Sequence, residues 1–290
     1  MVLHTAHLVK EYGAFRALDD FSLDVAAGEV VGMLGPNGSG KTTALRIVLG
    51  FLRATSGIAT VGGHDSWREG VAVRQRVAYL PAELRLYENM TGRRLIRFLS
   101  DLRGQPVGAE VDRLARRFEI DIDRPIANLS SGMKRKVALL QVLAPHTPLV
   151  IMDEPTNALD PTMRDQLLDQ VRVARDRGQA VLFSSHVLAE VERVCDRVAV
   201  LQQGRLVHLQ DMRQLQAARL IHVRFDGLAP EPPPLPGLLV RERVDARLVL
   251  EYAGGLPDLL GWFATQPIAE LRMEPLGLYG IYHRYHGNPE

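Results

Sequence analysis

The stretch Gly35-Pro36-Asn37-Gly38-Ser39-Gly40-Lys41-Thr42-Thr43 follows an apolar run, Val30–Leu34, and precedes a helical pattern that ends near Gly50. This order of strand, glycine-rich loop and helix is the context that a phosphate-binding loop requires. The glycines let the backbone curl so that several N–H groups point into one concavity, and the N-terminus of the helix adds partial positive charge there. The stretch therefore predicts a phosphate site in an α/β fold.

Two side chains of this stretch carry further chemistry. Lys41 is placed to reach the β- and γ-phosphates of a nucleotide, and the Thr42 hydroxyl is placed to ligate Mg²⁺. An ordinary glycine turn is the alternative interpretation. The chain contains four lysines, at positions 10, 41, 134 and 136, so a lysine at the required position argues against coincidence. We therefore expect the nine residues from Gly35 through Thr43 to bind the nucleotide.

Bulk properties narrow the class of protein. The chain has 290 residues, enough for one large domain and a smaller one. Its 35 basic and 34 acidic residues leave a net charge of +1, which gives no reason to expect nucleic acid as a partner. The single Cys195 excludes an intramolecular disulfide and fits a reducing cytosol. We find no signal peptide and no apolar run of the roughly 18 residues that a membrane span needs, so another chain would have to supply any spanning part.

Hydrophobic periodicity divides the first 212 residues into strands and helices. Strand-like segments occupy residues 1–25, a second strand pair is expected between Gly57 and Gly63, and residues 90–143 read as a mostly helical insert. Leu149–Met152 is a continuous apolar run, typical of a strand that is buried on both faces of a parallel sheet. The alternation predicts a doubly wound α/β domain that ends near residue 212.

The composition then changes. Ala229–Gly237 is rich in proline, which predicts a stiff extended connector. The other elements expected here are strand-like Arg219–Phe225 and Leu238–Glu251, a helix over Leu256–Phe263, a strand over Ile268–Met273 and a last helix over Leu276–Tyr285. Residues 213–290 are therefore predicted to form a small α+β domain.

Acidic residues follow the apolar strand of the first domain. Asp153 and Glu154 stand at its carboxyl end, where the ligands of open α/β sheets bind. One carboxylate there can hold the Mg²⁺ that bridges the phosphates, and the other can accept a proton from attacking water. A pair of solvated turn carboxylates is the alternative. His186 follows another predicted strand and could contact the γ-phosphate or orient the water, although a lone histidine is more often structural.

These segments resemble, in their order, the motifs of ABC transporter ATP-binding subunits. The motifs are the phosphate loop, Tyr79-Leu80-Pro81, Leu129-Ser130-Ser131-Gly132-Met133, Ile151–Thr156, Asn157–Asp160 and Ser185-His186. The resemblance covers residues 1 to about 210, and Leu129–Met133 corresponds to the signature that separates ABC proteins from other phosphate-loop ATPases. It implies a P-loop NTPase (RecA-like) core with an antiparallel β-subdomain and a helical subdomain at about 90–143. Residues 1–212 would be the ATP-binding cassette and residues 213–290 an accessory domain.

The resemblance also assigns partners across a dimer. In this family two cassettes close head to tail around two ATP molecules, so a homodimer is implied. Ser130, Ser131 and Gly132 of one chain would contact the γ-phosphate of the ATP that the other chain holds. Asp160 corresponds to a link between the subunits. Tyr12 falls where the family stacks an aromatic side chain on adenine, and a turn tyrosine is the alternative.

The catalytic assignments follow in the same way. Glu154 corresponds to the catalytic base, Asp153 with Thr42 to the Mg²⁺ ligands and His186 to the switch histidine, while Lys41 offsets charge on the phosphates. Ala82 stands where the family usually has a glutamine that senses Mg²⁺ and the membrane subunit. Either Glu83 or water takes its place, or hydrolysis is slow. Ser131 and Met133 also depart from the usual glycine and glutamine, although a serine hydroxyl can still donate to a phosphate.

The sequence thus predicts an ATP-binding and ATP-hydrolysing subunit that energises export through a separate permease, at the cytoplasmic face of a prokaryotic membrane. The segments Tyr79–Tyr87 and Glu274–Tyr285 look like the drug- and antibiotic-exporter branch, although packing within the last domain also explains the terminal aromatics. A drug, lipid or polysaccharide-like molecule is the expected substrate. Two alternatives stay open: an ATP-binding module with little hydrolysis, and a role in ribosome or DNA remodelling. The second is disfavoured because those types carry two cassettes or a long coiled coil.

Overall fold

The computed structural model describes residues 1–286. The chain divides after Leu209 into two compact units, three residues before the boundary at residue 212 that the sequence predicts. Among the described residues, no helix combines the length and the apolar character needed to cross a membrane.

The first unit contains the elements that surround the glycine-rich loop. Its strands are β1 (Leu3–Tyr12), β2 (Phe15–Val25), β3 (Val30–Leu34), β4 (Ser56–Val61), β5 (His64–Asp65), β6 (Val77–Leu80), β7 (Leu149–Asp153), β8 (Ala180–Ser185), β9 (Arg197–Gln202) and β10 (Arg205–Asp211). Its helices are α1 (Lys41–Val48), α2 (Gly70–Arg76), α3 (Gly92–Arg103), α4 (Gly108–Arg117), α5 (Ser131–Leu143), α6 (Pro161–Asp176) and α7 (Leu188–Val194).

A six-stranded sheet in the order β10-β9-β3-β8-β7-β6 forms the centre of this unit. Strands β6, β7, β8, β3 and β9 run parallel, and every residue of β3, β7 and β8 is buried, as the sequence predicted for residues 149–152. In the register, Leu34 pairs with Ser185 and Asp153 pairs with Ser184. Because parallel strands end at one edge, this register brings the glycine-rich loop, Glu154 and His186 to the same side of the sheet.

A second sheet, β2-β1-β4-β5, is antiparallel and packs on α1 through a shared apolar core. The strand pair expected between Gly57 and Gly63 was placed wrongly: β4 begins at Ser56, and its partner β5 begins only at His64. Gly62 and Gly63 both have positive φ and form the turn between the two strands. Helix α2 was not predicted, because Val73 is its one buried residue and gives no periodicity to detect.

The helical insert contains α3, α4 and α5. Thr91 caps α3, since its hydroxyl accepts a hydrogen bond from the N–H of Arg94 at 3.2 Å. Glu110 on α4 joins the insert to the core, because its Oε1 accepts from Arg113 at 2.8 Å and from Arg177, just past α6, at 2.9 Å. The hydrogen bond from Arg113, assisted by Arg177, lowers the pKa of Glu110 from 4.5 to about 2.

This depressed pKa predicts a pH-dependent contribution to stability. The carboxylate stabilises the fold above the unfolded-state pKa, and the contribution is lost as the pH falls from 4.5 towards about 2. With allowance for solvent screening, we expect Glu110→Gln to lower the free energy of unfolding by about 1 kcal/mol near neutral pH. Urea unfolding should show this difference shrinking below about pH 4. The control Asp101→Asn, at an exposed position on α3, should show no such trend, and a difference independent of pH would contradict the assignment.

The second unit is a separate α+β structure, as predicted. Its elements are α8 (Met212–Ala217), β11 (Arg219–Phe225), β12 (Leu238–Val244), β13 (Arg247–Tyr252), α9 (Leu256–Phe263), β14 (Ile268–Pro275) and α10 (Leu278–His286). The strands form an antiparallel sheet, β12-β13-β11-β14, whose apolar face packs on α9. The single strand-like segment Leu238–Glu251 proved to be a hairpin, because Asp245 adopts a positive φ and turns the chain.

Candidate nucleotide-binding site

The loop between β3 and α1 borders a pocket of about 380 Å³. The pocket is lined by Phe15, Ala17, Asn37, Gly38, Ser39, Gly40, Lys41, Thr42, Thr43, Ala82, Asp153, Glu154 and Asn157. Gly40 has φ of 105°, and a Cβ added there would lie 2.9 Å from the carbonyl oxygen of Ala17, so the turn requires glycine. Helix α1 has no acidic residue in its first turn, which leaves the positive end of its dipole facing the pocket.

Lys41 lies at the base of this pocket and is buried. Its Nζ donates to the carbonyl oxygens of Gly35 at 2.5 Å and of Pro36 at 3.1 Å. Burial lowers the pKa of Lys41, while the charges of Glu154 and Asp153 act in the opposite direction. Because a phosphate oxygen is a stronger, charge-assisted acceptor than a carbonyl, this ammonium is well placed to exchange the loop oxygens for a phosphate.

Oxygen atoms from three elements meet beside the loop. Oγ1 of Thr42 donates to Oδ2 of Asp153 at 3.0 Å, and Oγ of Ser184 donates to Oδ1 of the same carboxylate at 2.5 Å. A hydroxyl and a carboxylate are the hard oxygen donors that Mg²⁺ prefers. Oγ of Ser39 is buried without a hydrogen-bond partner among the described residues, and a phosphate oxygen would satisfy it. The residues present therefore fit a nucleotide with Mg²⁺.

Glu154 is held in an unusual backbone conformation. Its φ of 48° lies in the left-handed region, which costs a non-glycine residue about 1–3 kcal/mol and persists where the surroundings enforce it. Its N–H donates to Oγ of Ser184 at 2.9 Å, and its carbonyl oxygen accepts from the guanidinium of Arg135. Its Oε2 lies 2.8 Å from Nδ1 of His186. The Glu154 side chain is 13% exposed and that of His186 is 59% exposed, so the pair lies at the pocket wall with the histidine facing outwards.

The remaining predicted residues lie elsewhere. Ser130 and Ser131 are exposed at the start of α5, where Oγ of Ser130 accepts from the N–H of Met133 at 3.3 Å, and Gly132 follows them. Asp160 caps α6 by accepting from the N–H of Met163 at 2.9 Å. These residues are available to a second chain, so their roles in a dimer stay predictions.

An aromatic side chain that belongs to none of the sequence motifs lines the pocket. Phe15 is 65% exposed there. Tyr12 pairs with Phe15 across the β1–β2 hairpin, and Nζ of Lys10 lies 5.0 Å from the centroid of the Tyr12 ring. The signal that could have found Phe15 is its position two residues after Tyr12-Gly13, where a tight turn would pair the two aromatic residues across a hairpin. Ser184 and Arg135 were also missed, the first inside an apolar run and the second in a basic stretch that resembles a solvated helix face.

The position of Phe15 predicts a role in binding the base. Stacking on a nucleobase contributes about 1–3 kcal/mol, so Phe15→Ala should raise KM for ATP by roughly ten-fold with little change in kcat. Steady-state phosphate release measures both constants. Tyr12→Ala tests the residue that the family pattern favours, and Trp67→Ala is the control for loss of an exposed aromatic. An unchanged KM in Phe15→Ala with a raised KM in Tyr12→Ala would return the stacking role to Tyr12.

Comparisons with known proteins agree with this geometry. A family model described as ABC transporter matches residues 18–157. The ABC transporter ATP-binding protein YdbJ of Bacillus subtilis, itself uncharacterized, is 33% identical over 77% of this chain and 74% of its own length. The chain belongs to the ABC transporter family. The ATP-binding protein NatA of Bacillus subtilis is 33% identical over 67% of this cassette chain and 81% of NatA. The daunorubicin/doxorubicin resistance ATP-binding protein DrrA of Streptomyces peucetius is 35% identical over 71% of this chain and 64% of its own length.

Solved structures place the ABC cassette in the same fold. The ATP-binding subunit of an ABC transporter superposes with a TM-score of 0.70 at 30% identity, covering 74% of this chain and 92% of the other. A dimer of the cassette MJ0796 bound to ADP and Pi gives a TM-score of 0.66 at 21% identity, covering 73% and 99%. The second likeness shows the fold alone. The predicted fold, a P-loop NTPase core with an ABC antiparallel β-subdomain and a helical insert, is confirmed.

Proposed function

We propose that this ABC cassette hydrolyses ATP to energise export through a separate membrane permease. The observation that carries the proposal is the convergence of Lys41, Thr42, Asp153 and Glu154 on one pocket at the edge of the central sheet. Relatives named for antibiotic resistance and for Nod factor export support the direction of transport.

The chemistry that these residues support is hydrolysis of ATP: water attacks the γ-phosphorus, the bond from that phosphorus to the oxygen shared with the β-phosphate breaks, and ADP and inorganic phosphate leave. The loop N–H groups and Lys41 hold the phosphates, and Lys41 offsets the negative charge that develops on them. Thr42 and Asp153 would hold Mg²⁺, which would supply positive charge against the phosphates, and Ser184 fixes the orientation of the Asp153 carboxylate. Glu154 accepts the proton of the attacking water, and His186, 2.8 Å from its Oε2, steadies that carboxylate.

The functional unit would be a homodimer around two ATP molecules. Ser130 caps α5, and Ser131 and Gly132 form its first turn. Both serines are exposed and Gly132 is partly exposed, so this segment can reach a nucleotide on a second chain. There the helix N-terminus and the serine hydroxyls would donate to the γ-phosphate. Asp160, which is exposed at the start of α6, would contact the partner beside the same nucleotide.

The permease would dock on the cytoplasmic side of a prokaryotic membrane, against the segment Ala82–Met90. This segment leads from β6 into the helical insert, and Tyr87 on it is an exposed aromatic. The cargo would be a drug, lipid or polysaccharide-like molecule. Identification of the permease by crosslinking from residues 83–87 in membranes of the source cell would test the docking site.

Weak hydrolysis is the second candidate, and Ala82 is the observation that favours it, since a methyl group lines the pocket where the family has a glutamine. Two measurements distinguish these candidate functions: the mass of the protein with Mg-ATP, determined by light scattering, and the rate of phosphate release. Dimerisation with turnover supports the proposed function. Dimerisation without turnover identifies an ATP-driven binding module, and the absence of both for the isolated chain and for its complex with the permease would overturn the proposal.

A further inference from the structure

Arg135 is a buried cation that no motif assigns. It lies on α5, and 3% of it is exposed. Its guanidinium donates to five main-chain carbonyl groups. Nη1 donates to Pro81 at 3.2 Å and to Ala82 at 3.0 Å, Nε to Pro155 at 3.2 Å, and Nη2 to Asp153 at 3.4 Å and to Glu154.

These carbonyls belong to two segments that are distant in sequence. Pro81 and Ala82 directly follow β6. Asp153, the proposed metal ligand, is the last residue of β7, and Glu154, the proposed base, and Pro155 follow it. The planar guanidinium reaches both segments at once, because its five N–H groups form a rigid fork. A lysine ammonium on its longer flexible stem cannot span both sets of carbonyls with the same geometry.

The free-energy cost of burying the Arg135 guanidinium indicates that this side chain does more than fill space in the core. Burial lowers the pKa of Arg135, and the charges of Asp153 and Glu154 only oppose that effect. A buried cation is costly unless its donors are satisfied, and here the five carbonyl oxygens satisfy them. An apolar side chain of similar volume is often equally or more stable at a buried position, so packing alone does not require an arginine here. The strained Glu154 main chain is fixed from both sides, by Ser184 at its N–H and by Arg135 at its carbonyl oxygen.

We propose that Arg135 is a positioning residue that locks the Pro81-Ala82 segment to Asp153–Pro155 and so sets the orientation of Glu154 towards the attacking water. Its effect on catalysis rests on the proposed function. The link acts through the carbonyl oxygen of Ala82, so it works although the glutamine side chain that the family places there is missing. Movement of the segment that follows Ala82 is transmitted to Glu154 through one guanidinium.

The test compares Arg135→Lys and Arg135→Gln with Lys136→Met. Lys136 is the matched control, because it follows Arg135 on α5 and its Nζ also donates to a main-chain carbonyl, that of Phe118 at 2.7 Å, away from the pocket. Hydrogen exchange of the nucleotide-free chain is followed in peptides that cover residues 79–86 and 152–160. Phosphate release gives kcat and KM separately.

We expect both peptides to exchange faster together in the two Arg135 variants and neither to change in Lys136→Met. We expect kcat to fall by about ten-fold or more in Arg135→Lys, with KM within about two-fold, because a small misplacement of a catalytic group costs rate rather than binding. Unchanged exchange, or faster exchange in one peptide alone, would overturn the proposal. So would a kcat for Arg135→Lys equal to that of the control. Hydrogen exchange needs no ATP, so it tests the link between the two segments even if the unaltered chain does not hydrolyse ATP. Absence of hydrolysis by the unaltered chain would count against the proposed function and not against the link.

Discussion

Replacement of Glu154 by glutamine is expected to lower kcat for ATP hydrolysis by at least about 100-fold while leaving ATP-dependent dimerisation intact. Glutamine keeps the size of the side chain and can hydrogen-bond His186, but it cannot accept a proton from water. Loss of a carboxylate beside the phosphates also removes repulsion, so ATP should bind at least as well. Phosphate release measures the rate, and light scattering with Mg-ATP measures the mass.

Glu119→Gln is the matched control for this substitution. Glu119 is also a glutamate in the left-handed region, with φ of 50° against 48° for Glu154, but it is exposed in the helical insert. The control should retain the rate of the unaltered chain. If Glu154→Gln keeps more than about a tenth of that rate, another group takes the proton and the assignment of the base is wrong. Glu83, beside Ala82, would be the next residue to substitute.

Elements with strong local signals were predictable from the sequence. Leu149–Met152 is apolar throughout, and a strand covered on both faces has no other pattern. Ser131–Leu143 and Pro161–Asp176 combine apolar periodicity with a serine or aspartate cap, which marks where each helix begins. In each case the burial of one or both faces of the strand or helix requires apolar residues at regular positions in the sequence.

Elements governed by backbone conformation were less predictable. Asp245 takes a positive φ and divides a strand-like segment into a hairpin, although aspartate is compatible with several turn and strand conformations. Helix α2 contributes one buried residue to the core, so tertiary contacts rather than periodicity determine it. The sequence contains no local signal for either.

The residues of the candidate site also differ in how far a local sequence pattern reveals them. The glycine-rich loop and the carboxylates after β7 are recognisable because the chemistry requires those residue types next to one another in the chain. Arg135 contacts Ala82, 53 residues away, and its neighbours Lys134 and Lys136 make it look like part of a solvated basic face. Burial of its guanidinium is a property of three segments meeting in space, which periodicity along one of them cannot reveal.

Replacement of Lys41 by methionine is expected to abolish both turnover and the stabilisation of the cassette by ATP. The ammonium supplies charge-assisted hydrogen bonds to the phosphates, and loss of one such donor costs about 10²–10³-fold in rate in addition to the loss of affinity. In the unaltered chain, ATP at about 100 times its dissociation constant should raise the free energy of unfolding by about 2.7 kcal/mol. Thermal unfolding with and without Mg-ATP measures this difference.

The nucleotide-free variant distinguishes a binding role from a structural one. Burial lowers the pKa of Lys41, which means that folding disfavours its charged form, so a neutral methionine should leave the free energy of unfolding unchanged or higher at neutral pH. Lys136→Met, the control, should keep the full response to ATP. If the nucleotide-free Lys41→Met chain unfolds more easily than the unaltered chain, the hydrogen bonds from Nζ to Gly35 and Pro36 stabilise the loop. The loss of ATP binding would then result from a disordered loop and not from a missing phosphate contact.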